Sequence, residues 1–135
     1  DGLHLADGIV ELAWRLLGPG RTILATDAMA ALGLGPGTYP LGDGPITVGE
    51  DGPRTADGRL AGSVVTLAEA LANLKRITDA ALPDVLRTVS SNPTRAVGCR
   101  DRGSLGPGTR ADFTLLDENL RPTRTILGGE VVYPS

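Results

Sequence analysis

Aromatic side chains make up only 3% of this 135-residue sequence, as Trp14, Tyr39, Phe113 and Tyr133. Aliphatic residues and alanine must therefore fill most of its core. Cys99 is the only cysteine, which excludes an internal disulfide framework and points to a reducing, cytoplasmic setting. His4 is the only histidine, so this chain alone can assemble neither a multi-histidine metal site nor a second imidazole base. No apolar run approaches the ~20 residues of a membrane-spanning helix, and no signal-peptide pattern opens the sequence. Positive charge is not in excess: the formal net charge is −3, which argues against a nucleic acid or an anionic membrane as partner. The basic residues other than Lys75 are arginines, scattered as on a solvated surface.

What is present suits one globular domain, with 41% apolar and 21% charged residues. The opening Asp1-Gly2-Leu3-His4 carries pattern at once and reads as cut from a longer protein. Ile9, Val10, Ala13, Trp14, Leu16 and Leu17 recur at helical spacing from Ala6, with Asp7 near the N-cap and Gly18-Pro19-Gly20 as the stop. Ile23, Leu24, Ala25 and Thr26 then run without polar alternation into Asp27, which predicts a short strand buried on both faces. In α/β folds the C-terminal edge of such a strand is where ligands bind, although an isolated Asp there can simply cap a turn.

Closely spaced glycines from Ala30 to Gly62 predict a meander of short strands. Its clearest turns are Glu50-Asp51-Gly52-Pro53 and Ala56-Asp57-Gly58-Arg59. A helix over Ser63–Thr78 follows, with Thr66 and Glu69 spaced as a capping box and Leu67, Ala70, Leu71, Leu74 and Ile77 as its apolar stripe. Pro83 and Asp84 open another helix, and Asn92 as N-cap with Pro93 opens a third. Beyond a boundary at Cys99–Gly103 the pattern is β throughout: Asp112–Asp117, Pro122–Leu127 and Glu130–Tyr133, the last two joined by Gly128-Gly129.

Few groups could carry chemistry. Leu60-Ala61-Gly62-Ser63 is not a nucleophile elbow, and the three Gly-Pro-Gly elements lack the Lys-Ser/Thr ending of a phosphate loop. His4, Asp27 and the Leu60–Ser63 loop remain as candidates. Each has a plain alternative: a solvated imidazole, a turn cap and a simple lead into a helix.

The order of these stretches carries a resemblance. Asp1-Gly2-Leu3-His4, Thr26-Asp27-Ala28-Met29, Gly37-Thr38-Tyr39-Pro40-Leu41-Gly42, Leu60-Ala61-Gly62-Ser63, Ser91-Asn92-Pro93-Thr94-Arg95 and Gly106-Pro107-Gly108-Thr109-Arg110-Ala111-Asp112-Phe113 together resemble the C-terminal part of the N-acetylglucosamine-6-phosphate deacetylase family. That family belongs to the metal-dependent amidohydrolase superfamily. Thr94 and Asp43 depart from its usual residues, at positions without a functional role.

The resemblance implies an α/β fold: the C-terminal part of a TIM-like (β/α)8 barrel plus strands of a small β-sandwich. Residues 1–102 would hold the last βα units, with the glycine-rich meander at 30–62, and residues 103–135 the sandwich strands. It also implies hydrolysis of N-acetylglucosamine-6-phosphate to glucosamine-6-phosphate and acetate in amino-sugar catabolism. Asp27 would be the catalytic acid/base, His4 would bind the sugar phosphate, and Leu60, Ala61 and Gly62 would line the substrate pocket. A divalent metal, zinc or iron, would be held by ligands in an N-terminal part absent here, as would the active homodimer's phosphate-binding arginine from the neighbouring subunit. The fragment alone would then hold no metal and be inactive. Two other readings stay open: another amidohydrolase, such as a cyclic amidase or a deaminase, and a non-catalytic fragment or interaction module.

Overall fold

The computed structural model describes residues 1–42 and 44–134, so the departure at Asp43 lies outside the described residues. Among the described residues the chain forms four helices, α1 (Asp7–Leu17), α2 (Leu67–Thr78), α3 (Leu82–Arg87) and α4 (Ser91–Ala96). Six strands accompany them: β1 (Gly37–Leu41), β2 (Gly44–Gly49), β3 (Gly52–Thr55), β4 (Phe113–Leu116), β5 (Pro122–Leu127) and β6 (Glu130–Tyr133). The strands make two antiparallel sheets, β1-β2-β3 and β4-β5-β6. No described helix is long and apolar enough to cross a membrane.

The meander forms where the glycines predict it. Gly49 pairs with Gly52 across the Glu50-Asp51 turn, and Gly52 takes φ +81°. In β2, Ile46 and Val48 are buried while Pro45 and Thr47 are exposed, the period of a sheet with one covered face. Met29 and Ala31 cover that face, with Tyr39, Ala61 and Val64 packed around them. The second sheet turns between β5 and β6 at Gly128 and Gly129, at φ +60° and +91°. Two successive positive φ values are what a two-residue hairpin needs to match strand twist.

The helices gather around a second cluster. Leu71, Leu74 and Val85 are buried, with Val10, Trp14, Leu24 and Leu86 against them. Leu116 and Leu120 bring one end of the second sheet onto the same cluster. α2 starts as its sequence requires: the Thr66 hydroxyl accepts the Glu69 backbone N–H, and the Glu69 carboxylate accepts the Thr66 backbone N–H. The helix begins at Leu67, and Ser63–Val65 are the approach to it.

Two further local expectations need correction. Ile23–Thr26 is not a sheet strand buried on both faces: it is extended, exposed at Ile23 and Ala25 and half-buried at Leu24 and Thr26. Its tie to the helices is the Leu24 N–H donated to the Thr88 carbonyl at 3.1 Å. Apolar side chains without polar alternation satisfy either a strand or a single extended segment, and strand neighbours decide between them. Asp7 is the first residue of α1, next to its N-cap Ala6, and pairs with Arg76 at 2.9 Å. The α1 stripe is only partly covered, since Ile9, Leu16 and Leu17 are exposed beside half-buried Val10, Ala13 and Trp14. Ser90 is the N-cap of α4, which places Asn92 inside the helix. There its amide donates to the carbonyls of Pro19 and Thr22, at 2.6 and 2.7 Å. Asn92 was legible as a helix-starting residue, but its buried side chain ties the loop before Asp27 to α4.

Candidate functional site

Asp27 is delivered by the extended segment and held by its backbone. Ser63 N–H donates to the Asp27 carbonyl and Met29 N–H to the Ser63 carbonyl, both at 2.8 Å. These bonds form a parallel bridge between Ala28 and Ser63. The buried Ser63 hydroxyl adds a third bond, to the Thr26 carbonyl at 2.5 Å. Residues on both sides of Asp27 are thus clamped to one serine. Within the clamp Asp27 takes φ +50°, a left-handed conformation uncommon for a residue with a Cβ, though least so for Asp and Asn.

Gly62 explains part of that shape. It sits at φ +72°, and a Cβ there would lie 2.9 Å from the Asp27 carbonyl oxygen. Only glycine lets the two backbones approach this closely. Leu60 forms an antiparallel bridge with Arg54, and the Ala61 N–H donates to the Pro53 carbonyl at 3.0 Å. The Leu60–Ser63 loop therefore runs from the first sheet to the Asp27 backbone.

His4 lies in the exposed turn before α1. Its Nδ1 is 2.5 Å from Asp1 Oδ2. A cavity of about 400 Å³ opens between this turn, α1, the 22–27 segment and α2, and both His4 and Asp27 line it. Asp1, Thr26 and Asn73 add polar groups, while Trp14, Leu74 and Ile77 supply apolar wall. Leu60, Ala61 and Gly62 do not line it. The structure thus brings His4 and Asp27 to one cavity and connects the glycine loop to Asp27 through backbone contacts. A larger depression of about 750 Å³ lies between the Gly49–Pro53 turn, the start of α2 and Asn119–Pro122. Asp1 borders both hollows.

Sequence reasoning missed the part played by Asp1 and by the Ser63 hydroxyl. The Asp1 signal was local: an Asp whose Oδ1 accepts the N–H groups of Leu3 and His4, two and three residues on, makes a side-chain-closed turn. The Ser63 bond spans thirty-seven residues and leaves no local signature.

A divalent metal does not fit these residues by themselves. Among the described residues there is no group of three or more His, Cys, Asp or Glu that could hold one. His4 and Asp27 offer donors toward one cavity but not a coordination set.

No family model matches the chain. An N-acetylglucosamine-6-phosphate deacetylase of Lysinibacillus sphaericus is 37% identical over 131 residues, which is 97% of this chain and 34% of the relative. The crystal structure of the Thermotoga maritima N-acetylglucosamine-6-phosphate deacetylase superposes with a TM-score of 0.94 at 38% identity, covering 100% of this chain and 37% of that one. The Mycobacterium smegmatis N-acetyl-D-glucosamine-6-phosphate deacetylase, solved as an aspartate-to-alanine mutant in complex with N-acetyl-D-glucosamine-6-phosphate, gives 0.88 at 33% identity, covering 96% and 35%. The chain spans about a third of the length of the curated relatives it matches. Over its whole length it therefore corresponds, in sequence and in fold, to about a third of an N-acetylglucosamine-6-phosphate deacetylase.

Proposed function

We propose that this chain forms part of the active site of an enzyme that hydrolyses N-acetylglucosamine-6-phosphate to glucosamine-6-phosphate and acetate. The observation that carries the reading is that His4 and Asp27 converge on one cavity in a chain matching such deacetylases from end to end. Asp27 is the acid/base. Its carboxylate removes a proton from the attacking water as oxygen adds to the acetamide carbon, then returns that proton to nitrogen as the C–N bond breaks. The clamp by Ser63 and Gly62 supports this role, because a proton carrier must be held in one place through both steps. The mycobacterial relative captured with its substrate also lacks one aspartate, which fits a chemistry that depends on a carboxylate.

His4 recognises the phosphate, and the Leu60-Ala61-Gly62 backbone, outside the cavity that His4 and Asp27 share, adjoins the substrate from the side of the Asp27 backbone. Residues 1–102 are the last βα units of a (β/α)8 barrel, and 103–135 contribute strands to a small β-sandwich. The divalent metal of such an amidohydrolase, zinc or iron, activates the water when bound; its ligands come from outside this chain. The complete enzyme is a cytoplasmic homodimer. The substrate reading is tested with His4→Ala in the complete enzyme. Loss of a charge-assisted contact should lower kcat/KM on N-acetylglucosamine-6-phosphate by about 10- to 150-fold. Turnover of N-acetylglucosamine without phosphate should fall far less. Equal losses on the two sugars would contradict phosphate recognition by His4.

A further inference from the structure

We propose that Asp1 is the positioning residue for phosphate recognition: it holds the His4 ring by Nδ1 and thereby presents Nε2 to the phosphate. The inference rests on the reading of His4 as the phosphate-binding residue. Both carboxylate oxygens of Asp1 are engaged. Oδ1 accepts the backbone N–H groups of Leu3 at 3.1 Å and His4 at 3.3 Å, while Oδ2 is the partner of His4 Nδ1 at 2.5 Å. The carboxylate is thus fixed against the same backbone that carries the ring, and ring rotation is set by a group that cannot itself swing away.

Exposure separates the two roles. The Asp1 side chain is 12% exposed and that of His4 40%, so the carboxylate is shielded while the imidazole faces open space. With Nδ1 taken, Nε2 is the ring atom left for a ligand. Held between a carboxylate and a phosphate, an imidazolium donates one N–H to each, which gives two charge-assisted bonds along one axis. Asp1, His4 and Asp27 all border the same cavity, so a sugar bound in it would have its phosphate end at His4 and its reacting end at Asp27. No bond is made or broken by Asp1. Its work is to orient a neighbour, as carboxylates orient the histidines of metal sites.

The test is a double-mutant cycle in the complete enzyme with wild type, Asp1→Asn, His4→Ala and the double variant. Asp1→Asn retains an oxygen for the backbone turn but loses the charge that holds the ring. It should raise KM for N-acetylglucosamine-6-phosphate about tenfold with a smaller change in kcat, and add nothing further in the His4→Ala background. An equal penalty in both backgrounds would show that Asp1 acts on the fold and not through His4, overturning the inference. So would an unchanged KM in Asp1→Asn while His4→Ala raises it, which would leave the phosphate reading of His4 intact. An unchanged KM in His4→Ala would defeat that reading and the inference with it. If Asp1→Asn does not fold, Asp1→Ser, which keeps a side-chain oxygen near the turn and likewise carries no charge, takes its place in the cycle.

Discussion

The sheet β1–β3 buries Ile46 and Val48 under Met29 and Ala31, whereas β4–β6, an antiparallel meander of the same strand order, leaves Phe113, Leu115, Leu127, Val131, Val132 and Tyr133 exposed. Ile126 is the buried residue of that second sheet, yet it belongs to neither core cluster. Its direct partners on the neighbouring strands are Phe113 and Val131. The first sheet is covered by a different segment, the chain leaving Asp27. Cover therefore joins the first sheet to the site, while the second sheet meets the helical cluster only at one end, through Leu116 and Leu120, and leaves most of its faces open. Two sheets of equal topology can thus differ in how far packing, rather than pairing, supports them.

Substitutions at matched positions sharpen that difference. Ile46→Ala, in the covered sheet, should cost about 2–5 kcal/mol of unfolding free energy in urea, since it removes buried methyl groups and leaves a cavity under Met29. A next, smaller loss is expected where the covered sheet's exit meets the site. Gly62→Ala must place a Cβ 2.9 Å from the Asp27 carbonyl at φ +72°, costing about 1–3 kcal/mol. This change should also lower kcat, because Asp27 must shift to make room. Thr66→Ala removes one half of the capping box of α2, for about 1 kcal/mol. Hydrogen bonds from the Thr66 side chain and then its backbone hold the Glu69 carboxyl below the ordinary glutamate value of 4.5. The stabilisation from Glu69 is thus complete above that value and disappears as the pH falls through the lowered one. The melting-temperature gap between wild type and Glu69→Gln should close in acid. Smallest of all, Val131→Thr on the open face of the second sheet should change stability by no more than about 0.5 kcal/mol. A loss there as large as for Ile46→Ala would break the comparison, since it would mean that the second sheet is packed as tightly as the first.

Local chemistry was legible in the sequence and long-range closure was not. Thr66 and Glu69 three residues apart, and Gly128-Gly129 between two β-rich runs, each specify a structure through backbone groups close by, and both form. The meander likewise follows from its glycines. The segment before Asp27 misled because its apolar run fits a paired strand, yet its bonds are single ones, from Leu24 N–H to Thr88 and from the Ser63 hydroxyl to the Thr26 carbonyl, with no ladder. Asn92 satisfies the rules for a helix start, but its amide binds carbonyls seventy and seventy-three residues away. For the site, His4 and Asp27 could be singled out as the rare histidine and a strand-end acid. That they border one cavity, and that Ser63 and Gly62 shape the backbone of Asp27, depends on a chain return that no local pattern encodes.

The proposed proton carrier is Asp27, and its most direct test is steady-state turnover of N-acetylglucosamine-6-phosphate by the complete enzyme carrying Asp27→Asn. Asparagine retains the size, the hydrogen-bonding reach and the tolerance for a left-handed backbone, but it cannot take a proton from water and return it to nitrogen. A proton carrier at Asp27 requires kcat to fall by about 10²–10⁴-fold with KM little changed. An aspartate that merely shaped the turn would be replaced by asparagine without loss, so near-normal kcat in Asp27→Asn would contradict the mechanism.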